Sequence, residues 1–317
     1  MSNNAQDSSS SPVKIRLGTR NSPLAMAQAI ETRERLCAAH GWSADEVELV
    51  PVVASGDKVL DRQLAEIGGK ALWTKELDAW LAEGKIDVAV HSAKDVETIR
   101  PDIFHFAAVL PRADRRDSLV GAASIDTIPQ GAVVGTSAPR RAAQLLNLRP
   151  DCKVVTFRGN VATRLGKLEA GEADVTFLAA AGLERLDQRA VGAPLEVADW
   201  IPAAAQGVIA LECMADNAEA TVALAAIDHG ATRAELEAER ALLAALGGTC
   251  HSPVAVLCEG EPGNLTMRAA LFSPDGAERV EGTASFADGD HAPVRALADE
   301  LLGRATSAIT DHFRAGE

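Results

Sequence analysis

Apolar and polar residues alternate in Val13-Lys14-Ile15-Arg16-Leu17, the period-two pattern of a half-buried strand, and Gly18 is expected to end it. A strong helix start follows. Ser22 can accept a backbone N–H as N-cap, and Pro23 suits the first helical position because its missing donor is not needed there; the helix is predicted to run to about Ala39, before Gly41. Gly18-Thr19-Arg20-Asn21-Ser22 therefore reads as a strand-to-helix loop. The same succession recurs where Asp87-Val88-Ala89-Val90 leads into His91-Ser92-Ala93-Lys94-Asp95, and where Val133-Val134-Gly135 leads into Thr136-Ser137-Ala138-Pro139-Arg140-Arg141. Val154-Val155-Thr156-Phe157 before Arg158-Gly159-Asn160 and a helix repeats it, as do residues 174–179 before Ala181-Gly182-Leu183-Glu184-Arg185. Such alternation predicts an α/β fold with mostly parallel sheets, in which ligands bind beyond the carboxyl ends of the strands. These loops lie at those ends.

Two interruptions divide the chain. Pro and dense charge in Leu110-Pro111-Arg112-Ala113-Asp114-Arg115-Arg116-Asp117 suggest a crossing between two α/β domains, and a second break follows Trp200-Ile201-Pro202. From about Thr232 an Ala/Glu/Leu-rich helix runs to Leu246 and ends at Gly247-Gly248; a strand-and-turn region and a final helix over about 293–314 complete a smaller α+β domain. A length of 317 residues suits two or three domains rather than one. Residues 1–12 are Ser/Asn-rich, with neither a basic start nor an apolar stretch, and read as a disordered tail rather than a secretory signal. The most apolar windows, 175–183 and 201–211, are shorter than the ~18 residues of a membrane helix, so a soluble protein is expected.

Charge narrows the function classes. Forty-five acidic residues against 31 Lys plus Arg leave a net charge of −14, a surface that repels phosphate backbones and anionic membranes. Aromatic residues make up 3%, with no Tyr, which leaves little on which bases can stack. Neither nucleic acid nor membrane is an expected partner. The five cysteines form no C-x-x-C pair and no regular framework, which fits a reducing cytoplasm. No G-x-x-x-x-G-K-[ST] loop, G-x-G-x-x-G fingerprint, H-E-x-x-H motif or Cys/His cluster occurs, so nucleotide and metal chemistry lose support.

Against this acidic background, Arg20, Lys94, Arg140, Arg141, Arg158, Arg164 and Arg185 fall at the predicted strand ends and the helices they open. Together they can line a polyanion site, because guanidinium forks match carboxylates and phosphates and helix N-termini add N–H donors. Singly, each is explained as well by a solvated or Glu-paired arginine. Asp95, among these cations, is either an N-cap or ion-pair partner, or a catalytic carboxylate that stays ionised and stabilises a cation developing on a substrate. Cys250 lies in Gly247-Gly248-Thr249-Cys250-His251-Ser252-Pro253, a turn that can present a nucleophile, although buried inert cysteines are commoner. Cys37, Cys152, Cys213 and Cys258 look structural, and Gly68-Gly69-Lys70 reads as part of a mobile lid over about 55–70.

Taken in order, these motifs resemble the porphobilinogen deaminase (hydroxymethylbilane synthase) family over about residues 14–310. The resemblance rests on Gly18-Thr19-Arg20-Asn21-Ser22-Pro23-Leu24-Ala25, Gly68-Gly69-Lys70, Val90-His91-Ser92-Ala93-Lys94-Asp95-Val96 and Gly135-Thr136-Ser137 with Arg140-Arg141. It continues through Arg158-Gly159-Asn160-Val161 with Arg164-Leu165, Ala181-Gly182-Leu183, Gln206-Gly207 and the Cys250 turn. The resemblance implies two α/β domains shaped like a two-lobed periplasmic binding protein, 13–110 with 208–228 and 113–203, and a third domain, 231–317, carrying the cofactor cysteine. It implies a cytoplasmic, monomeric transferase of tetrapyrrole and heme biosynthesis. Such an enzyme condenses four porphobilinogen molecules head to tail, releasing ammonia, upon a dipyrromethane cofactor attached by a thioether to Cys250. Water then frees hydroxymethylbilane. Because every porphobilinogen carries an acetate and a propionate, the growing chain demands an Arg-lined cleft. On the same basis Asp95 is catalytic; Arg20, Ser22, Arg158, Arg164, Gln206 and Lys70 bind substrate; and Lys94, Ser92, Thr136, Ser137, Arg140, Arg141, Arg185 and Gly182 bind cofactor.

The sequence departs from the family pattern at Ala138-Pro139 (usually Ser-Leu), Ala205 (usually Gly), Trp73 (commonly Phe) and Thr249 (usually Gly or Ser). None of these removes a charged group. Two other classes compete with the enzyme reading. A two-lobed anion-binding protein would need neither Asp95 nor a reactive Cys250, and a cysteine-dependent hydrolase would hold no chromophore.

Overall fold

The alternating pattern at the start of the chain becomes β1 (Ile15–Arg20), followed by α1 (Pro23–His40). Ser22 caps α1 by accepting the Ala25 N–H at 3.3 Å. Contrary to expectation, β1 runs through Gly18, and the loop shrinks to Asn21-Ser22. The reason is that β1 lies between two parallel neighbours, and Gly18 leaves free the space in which a Cβ would stand 2.3 Å from Ile86. The computed structural model describes residues 12–52, 74–249 and 251–313. All but the last residue of the expected N-terminal tail, and the whole of the expected lid, lie outside the described residues.

Next come β2 (Val47–Val52), α2 (Lys75–Ala82), β3 (Val88–Ser92), a short 3-10 turn (Ala93–Asp95) and β4 (Phe104–Val109). After the irregular crossing 110–116 follow β5 (Asp117–Val120), β6 (Val133–Gly135), α3 (Pro139–Leu148), β7 (Lys153–Val155), α4 (Val161–Glu169), β8 (Val175–Ala179), α5 (Ala180–Arg185) and β9 (Ala193–Pro194). A second crossing leads back to β10 (Ile209–Met214) and α6 (Ala218–Ala225). The chain ends with α7 (Gly230–Leu246), β11 (Val254–Glu261), β12 (Asn264–Phe272), β13 (Arg279–Phe286), α8 (Ala292–Arg304) and α9 (Ser307–Thr310).

Among the described residues three sheets result, with strand orders β2-β1-β3-β10-β4, β7-β6-β8-β5-β9 and β11-β12-β13. The fold class is α/β, with a smaller α+β unit at the C-terminus. Each five-stranded sheet has a parallel core of β2, β1 and β3, or of β7, β6 and β8. The strand arriving from the other lobe, β10 or β5, is antiparallel to its neighbours. The sheets are more mixed than strand-helix alternation predicts, because parallel pairs need a crossover helix whereas a strand arriving from another lobe does not. Leu17, Val88, Val90 and Leu211 centre the first core; Leu119, Val134 and Phe177 the second, where Phe177 stacks on Trp200 at 4.8 Å.

In the third sheet the first half of β11 and the end of β12 bury both faces. Val254, Val256 and Cys258 face α7 and α8, while Ala255, Leu257, Ala270 and Phe272 pack with Ala143 and Ile201 of the second lobe. The predicted final helix breaks at Ala305, whose backbone is extended (φ −81°, ψ 146°), so that α9 folds back and Ile309 and Phe313 enter the core. Burying two such side chains, at roughly 1.5–3 kcal/mol each, outweighs the hydrogen bonds, about 1 kcal/mol apiece, that a continuous helix would add.

Polar contacts clamp the crossings to the third unit. Arg112 donates to Glu235 at 2.9 Å and to Glu239 at 3.0 Å. The buried Glu239 also accepts the Ala205 N–H at 2.6 Å and the Cys258 N–H at 3.2 Å. Ala205 holds a left-handed backbone, φ 60°, where the family usually has Gly. That strain, ~1 kcal/mol, is largely offset by about 0.8 kcal/mol from its methyl, which is buried with Val109, Val208 and Leu236.

The docking of the third sheet gives a stability prediction. Gly276, φ 72°, lies between β12 and β13, its carbonyl accepting from Asn147 Nδ2 at 2.9 Å, and a Cβ there would stand 2.5 Å from the Asn147 nitrogen and 2.6 Å from the Ala143 oxygen of α3. Gly289 has a similar φ of 77° but open space around it. Gly276→Ala is expected to cost ~3 kcal/mol in urea unfolding and Gly289→Ala ~1 kcal/mol. Equal losses would show that the turn does not pack on α3 in solution.

Candidate active site

The carboxyl ends of β1 and β3 and the first turns of α1 surround a pocket lined by Arg20, Ser22, Leu24, Ala25, Gln28, Thr74, Val90, His91, Ser92 and Asp95. Arg20 is the last residue of β1, and β3 ends by delivering His91 and Ser92. Asp95 closes the 3-10 turn that follows, so it caps no helix, and of the simpler reading the N-cap half falls while Lys94 and Arg164 still attract it. Ser92 and Gln28 exchange hydrogen bonds at 2.8 and 3.2 Å, which fixes both side chains at the pocket wall. Behind them His91 Nε2 stands 3.3 Å from Glu212, which accepts from Arg100 at 2.8 and 2.9 Å. Burial pushes the Glu212 carboxyl up, but the nearby His91 ring and the hydrogen bonds from Arg100 prevail and leave it lowered to about 2.

The second lobe faces this pocket with cations. Arg140 and Arg141 occupy the first turn of α3, Arg158 is buried after β7, and Arg164 lies on α4 with its Nε on the Gly159 carbonyl at 2.9 Å. Asp117, at the head of β5 and fully buried, accepts from Arg140 at 2.6 Å, Arg141 at 2.7 Å, Trp200 Nε1 at 2.8 Å and Gln206 Nε2 at 2.9 Å. Gln206 in turn accepts from Lys94 Nζ at 3.2 Å. Burial and repulsion from Arg141 lower the Lys94 ammonium to about 8 even though Asp95 and Asp117 attract it. Burial likewise lowers Arg164 to about 10, with Arg141 and Arg158 repelling it and Asp95 attracting it. Asp95 therefore belongs both to the pocket and to the field of the opposite lobe.

The remaining predicted residues divide. Thr136 is buried and accepts the Ala138 N–H at 3.2 Å, which supplies an acceptor at the α3 start that the Ala138-Pro139 departure lacks; Ser137 sits half-buried beside it. Gly182 faces Leu24 of the pocket, and a Cβ there would touch it at 3.5 Å. Arg185 lies aside from the cluster, donating to Glu31 at 3.4 Å and to the Gly207 carbonyl at 3.1 Å. Lys70, Trp73 and Cys250 lie outside the described residues. Asp117, Gln28, His91 and Glu212 were not among the sequence candidates. For Gln28 and Glu212 the available signal was a polar residue within an apolar helix face or strand.

A family model described as porphobilinogen deaminase, dipyromethane cofactor binding domain, matches residues 15–222, and one described as porphobilinogen deaminase, C-terminal domain, matches 233–302. A porphobilinogen deaminase of Sphingopyxis alaskensis is 54% identical over 94% of this chain and 96% of its own length. The chain belongs to the porphobilinogen deaminase family. Its relative from Paracoccus denitrificans, also a porphobilinogen deaminase, is 49% identical over 94% of this chain and 96% of its own. Among solved structures, the periplasmic VFT2 domain of Bordetella pertussis BvgS is similar at a TM-score of 0.37 and 17% identity, over 72% of this chain and 91% of that one.

A porphobilinogen deaminase holds a dipyrromethane whose rings bear carboxylates, and this site suits it. Lys94, Arg140, Arg141 and Arg164 share the carboxylates of Asp95 and Asp117, and Arg141 Nε is buried with no hydrogen-bond partner. Bound carboxylates would complete that charge balance.

The lowered Lys94 ammonium has a measurable consequence in deaminase freed of cofactor. The unfolded chain keeps its lysine proton up to the ordinary 10.5, whereas the folded chain loses it near 8, so stability rises with pH between these values. The unfolding free energy of the wild type relative to Lys94→Met is expected to climb by about 2–3 kcal/mol across that window. A flat difference would place Lys94 in water.

Proposed function

We propose that this deaminase divides its chemistry between one pocket carboxylate and a surrounding cationic wall. The observation that carries the reading is Asp95: it lines the pocket of the first lobe while feeling Lys94 beside it and Arg164 across the cleft. In the condensation, the C–N bond of the porphobilinogen aminomethyl group breaks, ammonia departs with the electron pair, and positive charge spreads over the substrate methylene and ring nitrogen. Asp95 accepts the pyrrole N–H and offsets that charge. The new C–C bond then forms, and the attacked ring position loses its proton. When bound, the dipyrromethane supplies the free pyrrole carbon that receives the first unit.

Arg20, Arg158 and Arg164, with Ser22 and Lys70, hold the acetate and propionate groups of the substrate, and a planar guanidinium fork fixes such a group in two directions at once. Lys94, Ser92, Thr136, Ser137, Arg140 and Arg141 serve the cofactor and lengthening chain, with Gly182 giving close approach. Gln206 serves substrate through Lys94, because its side-chain oxygen accepts Lys94 and its nitrogen donates to Asp117 and to the Arg115 carbonyl. Arg185 acts at the rim, where it joins α5 to Glu31 of α1. Cys250 anchors the cofactor by a thioether. The flanking Gly248 carbonyl accepts from Thr98 Oγ1 at 2.9 Å, three residues after Asp95 in the chain, which supports that assignment. The domains run over 13–110 with 208–228, 113–203 and 231–317. An acidic protein of this kind acts as a cytoplasmic monomer on porphobilinogen and water, without nucleic-acid or membrane partners. Among the described residues no helix is long and apolar enough to cross a membrane.

Intact-protein mass is expected to exceed the sequence mass by a two-ring adduct that disappears in Cys250→Ala; a wild type without the adduct would remove the cofactor assignment. Asp95→Asn is expected to retain porphobilinogen binding while turnover falls by about 10²–10³-fold, the loss of one electrostatic stabiliser. Near-normal turnover would remove Asp95 from catalysis.

A further inference from the structure

Asp117 lies outside the pocket, yet the side chains that meet there are those assigned to the ligand carboxylates. Its two oxygens take one guanidinium nitrogen each from Arg140 and Arg141, at 2.6 and 2.7 Å, together with Trp200 Nε1 and Gln206 Nε2. The other ends of the arginines are fixed as well, Arg140 on the Ile201 carbonyl and Arg141 on that of Phe177, both at 2.9 Å. Each guanidinium is thus held at two points, which sets its plane. Gln206, fully buried in the second crossing, extends the set to Lys94 of the first lobe.

We propose that Asp117 is a positioning residue that aims Arg140 and Arg141, and through Gln206 also Lys94, at the carboxylates of the cofactor and growing chain. This rests on the assignment of those three cations to the cofactor. Two other roles make opposite predictions. Were Asp117 only a counter-charge, its neutralisation would make the cleft more positive and speed the capture of anionic pyrroles. Were it only structural, any damage to the same hydrogen-bond group would lower stability and loading together.

The test compares Asp117→Asn with Trp200→Phe, which removes one neutral donor to the same carboxylate and leaves the arginines alone. Apo-protein of each is incubated with porphobilinogen below its unfolding midpoint, and the appearance of the adduct is followed by intact mass. Asp117→Asn is expected to load at least tenfold more slowly than wild type and Trp200→Phe within twofold of it, although both melt earlier. Loading by Asp117→Asn at the wild-type rate or faster overturns the proposal, as does an equal loss in both variants. Should Asp117→Asn fail to fold, Gln206→Met tests the Lys94 arm: it is expected to load severalfold more slowly, and an unchanged rate overturns that arm. A wild type that never gains the adduct would instead refute the cofactor assignment itself, whatever the variants do.

Discussion

Repulsion among cations withdrawn from water is the constraint around which this cleft is built. Lys94, Arg140, Arg141 and Arg164 are drawn together at the carboxyl ends of two sheets, where, among the described residues, Asp95 and Asp117 attract them. In a chain of net charge −14, nearby acids were available in abundance, yet the fold sends them elsewhere. Glu235 and Glu239 go to Arg112 at the crossing, and Asp78, Glu97 and Glu212 go to Arg100 behind the pocket. The cleft is left short of negative charge, which weakens the folded state and favours a ligand that brings its own. Stability elsewhere sustains a site arranged for charge it does not itself contain.

The crossings make that arrangement possible. Each lobe ends its parallel strands toward the cleft, and the two connecting segments run through the middle, so side chains from both lobes meet near them. Glu239 grips both segments at once, through Arg112 on one and the Ala205 N–H on the other. Breaking a buried ion pair of this kind by removing one partner typically costs 3–5 kcal/mol. The third unit therefore ties the two crossings together, and the Arg240 contacts to the Glu97 and Thr98 carbonyls bring it close to the Asp95 turn.

Much of this was legible in the sequence, for local reasons. Ser22 and Pro23 mark a helix start whatever lies around them, and basic residues at recurring strand ends point to one anion site because α/β topology gathers those ends. What escaped depended on partners distant in the chain. Asp117 sits in a run of dense charge that reads as a crossing between domains, and its burial is decided by Trp200, 83 residues away, and Gln206, 89 away. Glu212 finds Arg100 across 112 residues. The extension of β1 through Gly18 and the break at Ala305 escaped likewise, since strand neighbours and core filling, rather than propensity, set both ends.

Two aspartates with the same chemistry end in opposite surroundings, and hydrogen-bond saturation separates them. Asp117 is fully buried and takes four side-chain donors, two of them charged, so that despite its burial the carboxyl is held far below the usual range. Its negative charge is spent on neighbours that never leave, and nothing remains for a cation that exists only during the reaction. Asp95 stands half-buried on a tight turn facing the pocket, within the field of Lys94 and Arg164. Those cations attract it without enclosing it. A carboxylate stabilises a transient positive charge only if that charge can approach more closely than the resident cations do, and of the two aspartates only Asp95 lines the open pocket.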